Sequence, residues 1–274
     1  MSPAGGPVDG EGTVTRSIEV TPGNFLIEMA VESVGLLPSP RPGQFYMVDC
    51  FDGEGGGREH VLRRPLSVNE VPSWMSGSAS VSFLVEVTGA GTRSLCSMPP
   101  GSRVRLLGPL GVAFDISSAP VLMVAGGMGI APLFFAARVM DERGAPYELM
   151  AGFKTGASVY PRLGELKGEF QLWTDDGSEG VVGMVSDGVE RKLSKSDFSS
   201  CLACGPEAMM AHVAALCEEA GVPCQVSLVS RMACGTGACR GCVRAARSEG
   251  NICVCSEGPV FDSRRVVFHG SDER

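Results

Sequence analysis

Apolar and polar positions follow two different periods along this chain, and the change of period divides it. From about residue 13 to 117 the apolar positions come in short runs with partial period-two alternation: TVTRSIEVT, NFLIEMAVES, GQFYMVDC, ASVSFLVEV and SRVRLLG. They are rich in β-branched and aromatic residues, and turn sequences such as Thr21-Pro22-Gly23-Asn24, Arg41-Pro42-Gly43 and Pro99-Pro100-Gly101 separate them. Five or six such strands predict a small antiparallel barrel. DGEGGGREH at 52–60 and VPSWMSGSAS at 71–80 read as hairpin loops. Near Ala119-Pro120 the pattern changes. APVLMVAGG is a continuous apolar run, followed by an apolar helical stretch from Pro132 to about Glu142; YELMAGF, EFQLWTDDG and FSSCLACG read as further strands and PEAMMAHVAALCEEAG as a second helix. Strands alternating with helices predict βαβ units and a parallel sheet. From Cys224 onward the chain is glycine-rich, cysteine-dense and poor in apolar residues.

The expected architecture is therefore multi-domain α+β. A disordered tip (1–12) precedes an antiparallel β-barrel (13–117), an α/β domain with a parallel sheet (118–223) and a small C-terminal unit (224–274). With 274 residues, 44% of them hydrophobic and 20% charged, the chain is long enough for two or three compact units. No apolar run approaches the roughly 20 residues of a membrane span, and MSPAGGPVDGEG has neither a basic start nor an apolar core, so a cytoplasmic protein is expected. The net charge of −8, with no basic stripe interleaved with aromatics, argues against nucleic acid as a partner. Eleven cysteines, an odd number with no export signal, point to a metal or redox site in a reducing compartment rather than to disulfides.

Five of those cysteines crowd into RMACGTGACRGCVRAARSEGNICVCSEGPVF. Cys234, Cys239 and Cys242 stand as C-x4-C-x2-C in a loop with three glycines, the plant-type [2Fe–2S] pattern in which a remote cysteine supplies the fourth thiolate. Cys253 and Cys255 are both candidates, because residues two apart on a strand share a face. A four-cysteine zinc site is the competing reading, although zinc sites favour paired C-x2–4-C units and only one C-x2-C is present. Cys50, Cys96, Cys201, Cys217 and Cys224 read as isolated, small buried hydrophobes.

Two segments carry nucleotide chemistry. LMVAGGMGIAPL runs from a strand through Gly126, Gly127 and Gly129 into a helix, where bare backbone and a helix N-terminus suit a pyrophosphate. ACGPEAMM places Cys204, Gly205 and Pro206 at what should be the same sheet edge, with Cys204 beside a nicotinamide or simply packed. Asp175 and Asp176 in WTDDG would repel a 2′-phosphate and so favour NAD over NADP, but the same residues form ordinary turns. In the barrel, Arg64 and Ser67 offer a guanidinium for a diphosphate and a hydroxyl for a flavin edge, and Gly91 and Thr92 offer backbone N–H groups; each is equally a hairpin end or an exposed turn.

RPLS (64–67), GAGT (89–92), LLGPLG (106–111), GGMGIAPL (126–133), TDDGSEG (174–180), ACGPEAMM (203–210), SRMACGTGACRGC (230–242) and VCSEGPVF (254–261) together resemble the ferredoxin–NADP reductase superfamily with a C-terminal [2Fe–2S] module. Within it, the set is similar to the electron-transfer subunits of class 1B dihydroorotate dehydrogenases over roughly residues 14 to 268. The resemblance implies an FAD-binding barrel, an NAD-binding α/β domain and a cluster domain. It also implies a separate FMN-containing catalytic subunit, in a heterotetramer serving pyrimidine biosynthesis, with NAD as co-substrate. By residue it implies that Arg64, Pro65, Leu66, Ser67 and Leu84, Val85, Glu86 contact the flavin, and that Gly91 and Thr92 contact its diphosphate. Gly126, Gly127 and Gly129 then form the dinucleotide turn, and Cys204, Gly205 and Pro206 the nicotinamide-side loop. The family's fourth ligand precedes an E/D-G-P-V-F-like segment, which selects Cys255 and leaves Cys253 as an extra sulfur. Electrons would pass singly from the partner's FMN through Cys234/Cys239/Cys242/Cys255 and the FAD to NAD, with no side chain acting as acid or base. Competing expectations are a flavin and iron–sulfur subunit of another NAD(P)H-linked ferredoxin, sulfide or hydrogenase complex, and a non-enzymatic metal-binding adaptor on a degenerate reductase fold.

Overall fold

A computed structural model describes residues 8–31, 39–50, 62–75, 78–195, 197–248 and 250–268. The first six strands are β1 (Val8–Thr21), β2 (Asn24–Val31), β3 (Phe45–Val48), β4 (Arg64–Met75), β5 (Ser78–Glu86) and β6 (Arg103–Leu110), and they close an antiparallel barrel in the order β1-β2-β5-β4-β3-β6. Period-two alternation fills its interior: Ile27 and Met29 on β2, Val81 and Phe83 on β5, and Val104 and Leu106 on β6 are all buried there. A short helix α1 (Ala90–Cys96) joins β5 to β6.

Two expectations change here. The tip expected to be disordered through residue 12 is ordered from Val8, because β1 pairs from Val8 to Thr13 along β6; residues 1–7 lie outside the described residues. The loop expected at 71–80 is mostly strand, since β4 runs to Met75 and β5 begins at Ser78. Two prolines hide β4 in the sequence, and the β4–β5 register shifts between Glu70 and Ser73, a break in the ladder that accommodates Pro72. The loop expected at 52–60 lies outside the described residues.

The second sheet has seven strands. β7 (Val121–Gly126), β8 (Tyr147–Phe153), β9 (Glu169–Thr174), β10 (Val181–Val182), β11 (Ser200–Cys204) and β12 (Cys224–Ser227) are parallel, in the order β10-β9-β8-β7-β11-β12. Helices α2 (Ile130–Arg143), α3 (Val189–Leu193) and α4 (Glu207–Glu219) cover its faces. Along the wholly buried β7, Val121, Met123 and Ala125 pack in the cluster of α2, and Leu122 and Val124 in that of α3 and α4. Burial on both faces is why this strand reads as an unbroken apolar run. The chain leaves β7 outward to β10 and then returns to β11 on its other side, so the strand order reverses between β7 and β11.

The C-terminal unit holds a hairpin of β13 (Val243–Ala246) and β14 (Gly250–Cys253) and a one-turn helix α5 (Val254–Glu257), after which β15 (Val260–Asp262) pairs antiparallel with β12. The expected break at residue 223/224 thus falls within the seven-stranded sheet, to which β12 and β15 both belong; the cysteine-bearing segment leaves the sheet after β12 and re-enters it at β15. The barrel's Phe45, Met47 and Leu110 share one buried cluster with Ile252, Val254 and β11. On the other side, Glu70 of β4 binds Arg138 of α2 at 2.9 Å and Arg162 at 2.8 Å, and the Asn69 amide donates to the Tyr160 hydroxyl at 3.0 Å.

A further correction concerns three cysteines expected to be isolated. Cys201 and Cys224 are register partners on β11 and β12, and α4 lays Cys217 over them. The three buried sulfurs all lie within 4.8 Å of one another.

Candidate functional site

At the carboxyl ends of β7 and β11, where the strand order reverses, a cleft of about 820 Å³ opens between the sheet and the barrel. Such a switch point is where open α/β sheets bind ligands, and the volume lies within the usual range for ligand pockets. Arg64, Pro65, Leu66 and Ser67 at the start of β4, Leu84, Val85 and Glu86 at the end of β5, and Thr92 of α1 line its barrel wall. Gly126, Gly127 and Gly129 and Cys204, Gly205 and Pro206 line its sheet wall. Gly91 stands just behind: a Cβ there would lie 2.8 Å from the Arg64 guanidinium, which rests against this bare backbone. Thr92 ties that loop together, its hydroxyl accepting from the Thr88 and Gly89 amides at 3.0 and 3.3 Å.

The three glycines after β7 do different jobs. A Cβ on Gly129 would fall 2.0 Å from the Cys204 carbonyl oxygen, and one on Gly126 2.7 Å from Met209 Sδ and Pro206 Cδ. These two let the loops after β7 and β11 interlock. Gly127, at φ +52°, has open space where a Cβ would be, and is the one that bares backbone to the cleft. α2 begins immediately afterwards, so its N-terminal N–H groups and the positive end of its dipole face the same space. Burial pushes the Cys204 thiol up to about 12, which keeps it a neutral group in the cleft wall. Asp175 and Asp176 do not line the cleft. Asp176 instead accepts from the Ser178 amide and hydroxyl at 3.0 and 2.5 Å, the ordinary turn role.

Sequence reasoning missed several lining residues. Lys154 and Thr155 follow β8, Leu228, Val229 and Ser230 follow β12, and Asn24 opens β2. The segments after β8 and β12 were detectable as further carboxyl strand ends, once the sheet order was known. The Asn24 side-chain carbonyl is buried without a hydrogen-bond partner among the described residues, an acceptor left for a ligand's donor.

The cysteine loop shares a wall with this cleft. Leu228, Val229, Ser230 and Met232 line it and run directly to Cys234, and Pro259 lines it soon after Cys255. In the loop, Gly235 at φ +73° and Gly237 at φ +85° turn the backbone so that its amides face sulfur. The Thr236 and Cys239 amides donate to Cys234 Sγ, Gly241 to Cys239 Sγ and Cys255 to Cys242 Sγ, each at 3.4 Å, while Gly237 donates to Cys255 Sγ at 3.1 Å. Four sulfurs surrounded by N–H donors form an environment built for thiolates. The Cys239 amide and, after it, that of Thr236 hold the Cys234 thiol down at about 6. Burial raises Cys242 and Cys255, which would release their protons to a metal. Cys239 is exposed, whereas Cys242 and Cys255 are buried, so the loop has an outer and an inner edge.

Comparison with known proteins follows this division. A family model described as the iron–sulfur cluster binding domain of dihydroorotate dehydrogenase B matches residues 230–267. The dihydroorotate dehydrogenase B (NAD+) electron transfer subunit of Clostridium acetobutylicum is 35% identical over 231 residues, covering 84% of this chain and 87% of that protein. The corresponding subunit of Geobacillus thermodenitrificans is 38% identical over 236 residues, covering 83% and 87%. Among solved structures, the NADH-dependent reduced ferredoxin–NADP oxidoreductase studied for flavin-based electron bifurcation superposes with a TM-score of 0.78 at 27% identity, covering 94% of this chain and 90% of that one. A ferredoxin–NADP+ reductase from Neisseria gonorrhoeae with bound FAD and NADP has the same fold, with a TM-score of 0.61 at 16% identity, covering 78% and 92%.

Proposed function

Because the chain belongs to the family of dihydroorotate dehydrogenase B (NAD+) electron transfer subunits, we propose that it relays electrons between an FMN-containing dihydroorotate dehydrogenase subunit and NAD, in a cytoplasmic heterotetramer that serves pyrimidine biosynthesis. The shared wall between the cleft and the cysteine loop carries this reading: Leu228, Val229, Ser230 and Met232 line the cleft and lead directly to Cys234, which would bring a two-electron nucleotide site beside a one-electron metal site. A flavin exchanges hydride with a nicotinamide and single electrons with a [2Fe–2S] cluster, so FAD in the cleft supplies the chemistry that links the two.

The residues present fit these groups. Arg64, held over Gly91, offers the cationic fork for a diphosphate beside the backbone of Gly91 and Thr92. Pro65, Leu66, Ser67 and Leu84, Val85, Glu86 give the isoalloxazine a largely apolar wall with a few polar groups. Gly127 and the α2 N-terminus receive the nicotinamide nucleotide's pyrophosphate, and Cys204, Gly205 and Pro206 border its ring. Cys234, Cys239, Cys242 and Cys255 hold the cluster, their amide donors stabilising the thiolates. The exposed Cys239 edge is the side on which the catalytic partner docks. No side chain of the cleft is required to move a proton; the protein's part is positioning and exclusion of water.

The test is to capture the complex from native cells on this chain as bait and to assay dihydroorotate-dependent NAD reduction. Reduction driven by dihydroorotate supports the assignment. A complex that contains FAD and iron, ignores dihydroorotate and reacts with ferredoxin overturns the named partner. The second reading, a ferredoxin-linked subunit, is favoured in that case by the 27% identity to the ferredoxin–NADP oxidoreductase.

A further inference from the structure

The fifth sulfur of the loop is not a bystander. Cys253 ends β14 and Cys255 lies in the first turn of α5, yet both side chains return to the same point. Cys253 Sγ is 3.5 Å from Cys242 Sγ and 3.8 Å from Cys255 Sγ, and the three sulfurs lie within 4.8 Å of one another. Two thiolates bound to one tetrahedral ion at about 2.3 Å stand about 3.8 Å apart. Cys253 therefore meets that spacing with both of its neighbours. Its backbone is fixed by Glu257, whose carboxylate accepts from the Cys253 amide at 2.8 Å, and the side chain just before that glutamate, Ser256, lies against the loop, 2.8 Å from where a Gly237 Cβ would be. Cys253 is buried, so competition from solvent at this position is small.

From this geometry we infer that the iron bound through Cys242 has two interchangeable fourth thiolates, Cys255 and Cys253. The inference rests on the cluster assignment proposed above. Replacement costs little rearrangement, because the two candidate sulfurs are separated by no more than the distance between ligands on a single ion, and one turn of chain, Cys253 to Ser256, carries both. When one thiolate is removed the other completes the coordination, with one thiol proton released on ligation and one thiolate lost. The cluster keeps its iron and its inorganic sulfide, and no electron is transferred in the exchange.

The test uses the full-length chain purified without oxygen as wild type, Cys253→Ala, Cys255→Ala and the double variant. Iron and sulfide per chain and the low-temperature EPR spectrum after dithionite reduction are read for each, with circular dichroism reporting the fold. Expected are unchanged metal content in Cys253→Ala, near-wild-type content with shifted g-values in Cys255→Ala, and loss of the cluster in the double variant. A folded Cys255→Ala that loses iron as completely as the double variant overturns the inference, and so does a Cys253→Ala that loses it while Cys255→Ala keeps it. If an alanine variant misfolds, the corresponding valine variant, closer to cysteine in size and without a ligand atom, is read in the same way: a folded Cys255→Val that loses iron as completely as the double variant overturns interchange, and one that keeps it supports it. A wild-type chain without iron or visible absorbance after iron and sulfide reconstitution would instead sink the cluster assignment itself, a separate outcome.

Discussion

The molecule contains two knots of buried cysteine, and they differ in the hydrogen-bond donors that reach their sulfurs. Cys201, Cys217 and Cys224 bring three sulfurs within 4.8 Å of one another between β11, β12 and α4; Cys242, Cys253 and Cys255 do the same beneath the glycine loop. The first knot lies in packed core beside Val213 and Phe198, on elements whose backbone amides are engaged in the sheet and helix. Hydrogen bonds to Cys217 and Cys224, together with burial, drive the Cys201 thiol well up. In the second knot the Gly237 amide donates to Cys255 Sγ and the Cys255 amide to Cys242 Sγ, and the loop above aims three further amides at Cys234 and Cys239. Convergence of thiols is thus a weak sign of a metal centre, whereas donors aimed at the sulfurs are a strong one, because a thiolate needs stabilisation that apolar packing does not provide.

The largest effect that could break this contrast is loss of metal. Cys242→Ala removes a sulfur 3.5 Å from Cys253 and within 4.8 Å of Cys255 and should abolish bound iron and the visible absorbance of the holoprotein; retained iron would remove the loop from the metal site. Next comes Gly237→Ala, which places a side chain at φ +85°, 2.8 Å from Ser256 Oγ, beside the amide that donates to Cys255. The left-handed conformation alone costs about 1–2 kcal/mol. A several-fold fall in iron content with retained flavin is expected, measured by metal and flavin analysis of the same sample.

A smaller effect is expected in the core knot. Cys217→Ala should lower stability by about 1–2 kcal/mol in urea unfolding, the cost of a small cavity, and leave iron per chain unchanged. A fall in iron would show that this knot also holds metal. The smallest effect is kinetic. In the cluster-free chain Cys234, held at about 6, is mostly thiolate by pH 7, so its alkylation rate should be nearly flat from pH 7 to 8.5. Cys201, raised and buried, should stay unmodified over that range until the chain unfolds. An ordinary thiol would instead react about tenfold faster per pH unit below its pKa, and a Cys234 rate rising in that way would show that its amides do not stabilise the thiolate.

Much of the site was readable before any fold was known. Residues 64–67, 84–86 and 92, the glycines after β7 and the Cys204–Pro206 turn all reach one cleft; the glycine turn and the Cys204–Pro206 turn were marked by local pattern at strand ends, whereas Pro65, Leu66 and residues 84–86 came only from the family resemblance. What pattern could not say is what each glycine faces. Gly126 and Gly129 serve the contact between two loops, whereas Gly127 serves the open cleft. Lys154 and Ser230 were invisible for a similar reason: nothing local distinguishes them from any residue after a strand.

The sequence alone determined the period-two barrel, the βαβ alternation and the C-x4-C-x2-C spacing, since each depends on residues within a few positions of one another. Only the tertiary structure decided that β15 returns to the sheet, that the cleft and the cysteine loop share a wall, that three scattered cysteines meet in the core, and that Cys255 lies in a helical turn rather than on the strand of Cys253. Those facts depend on register and crossover between segments tens of residues apart, or on a strand giving way to a helical turn at one residue. Neither leaves a trace in local periodicity.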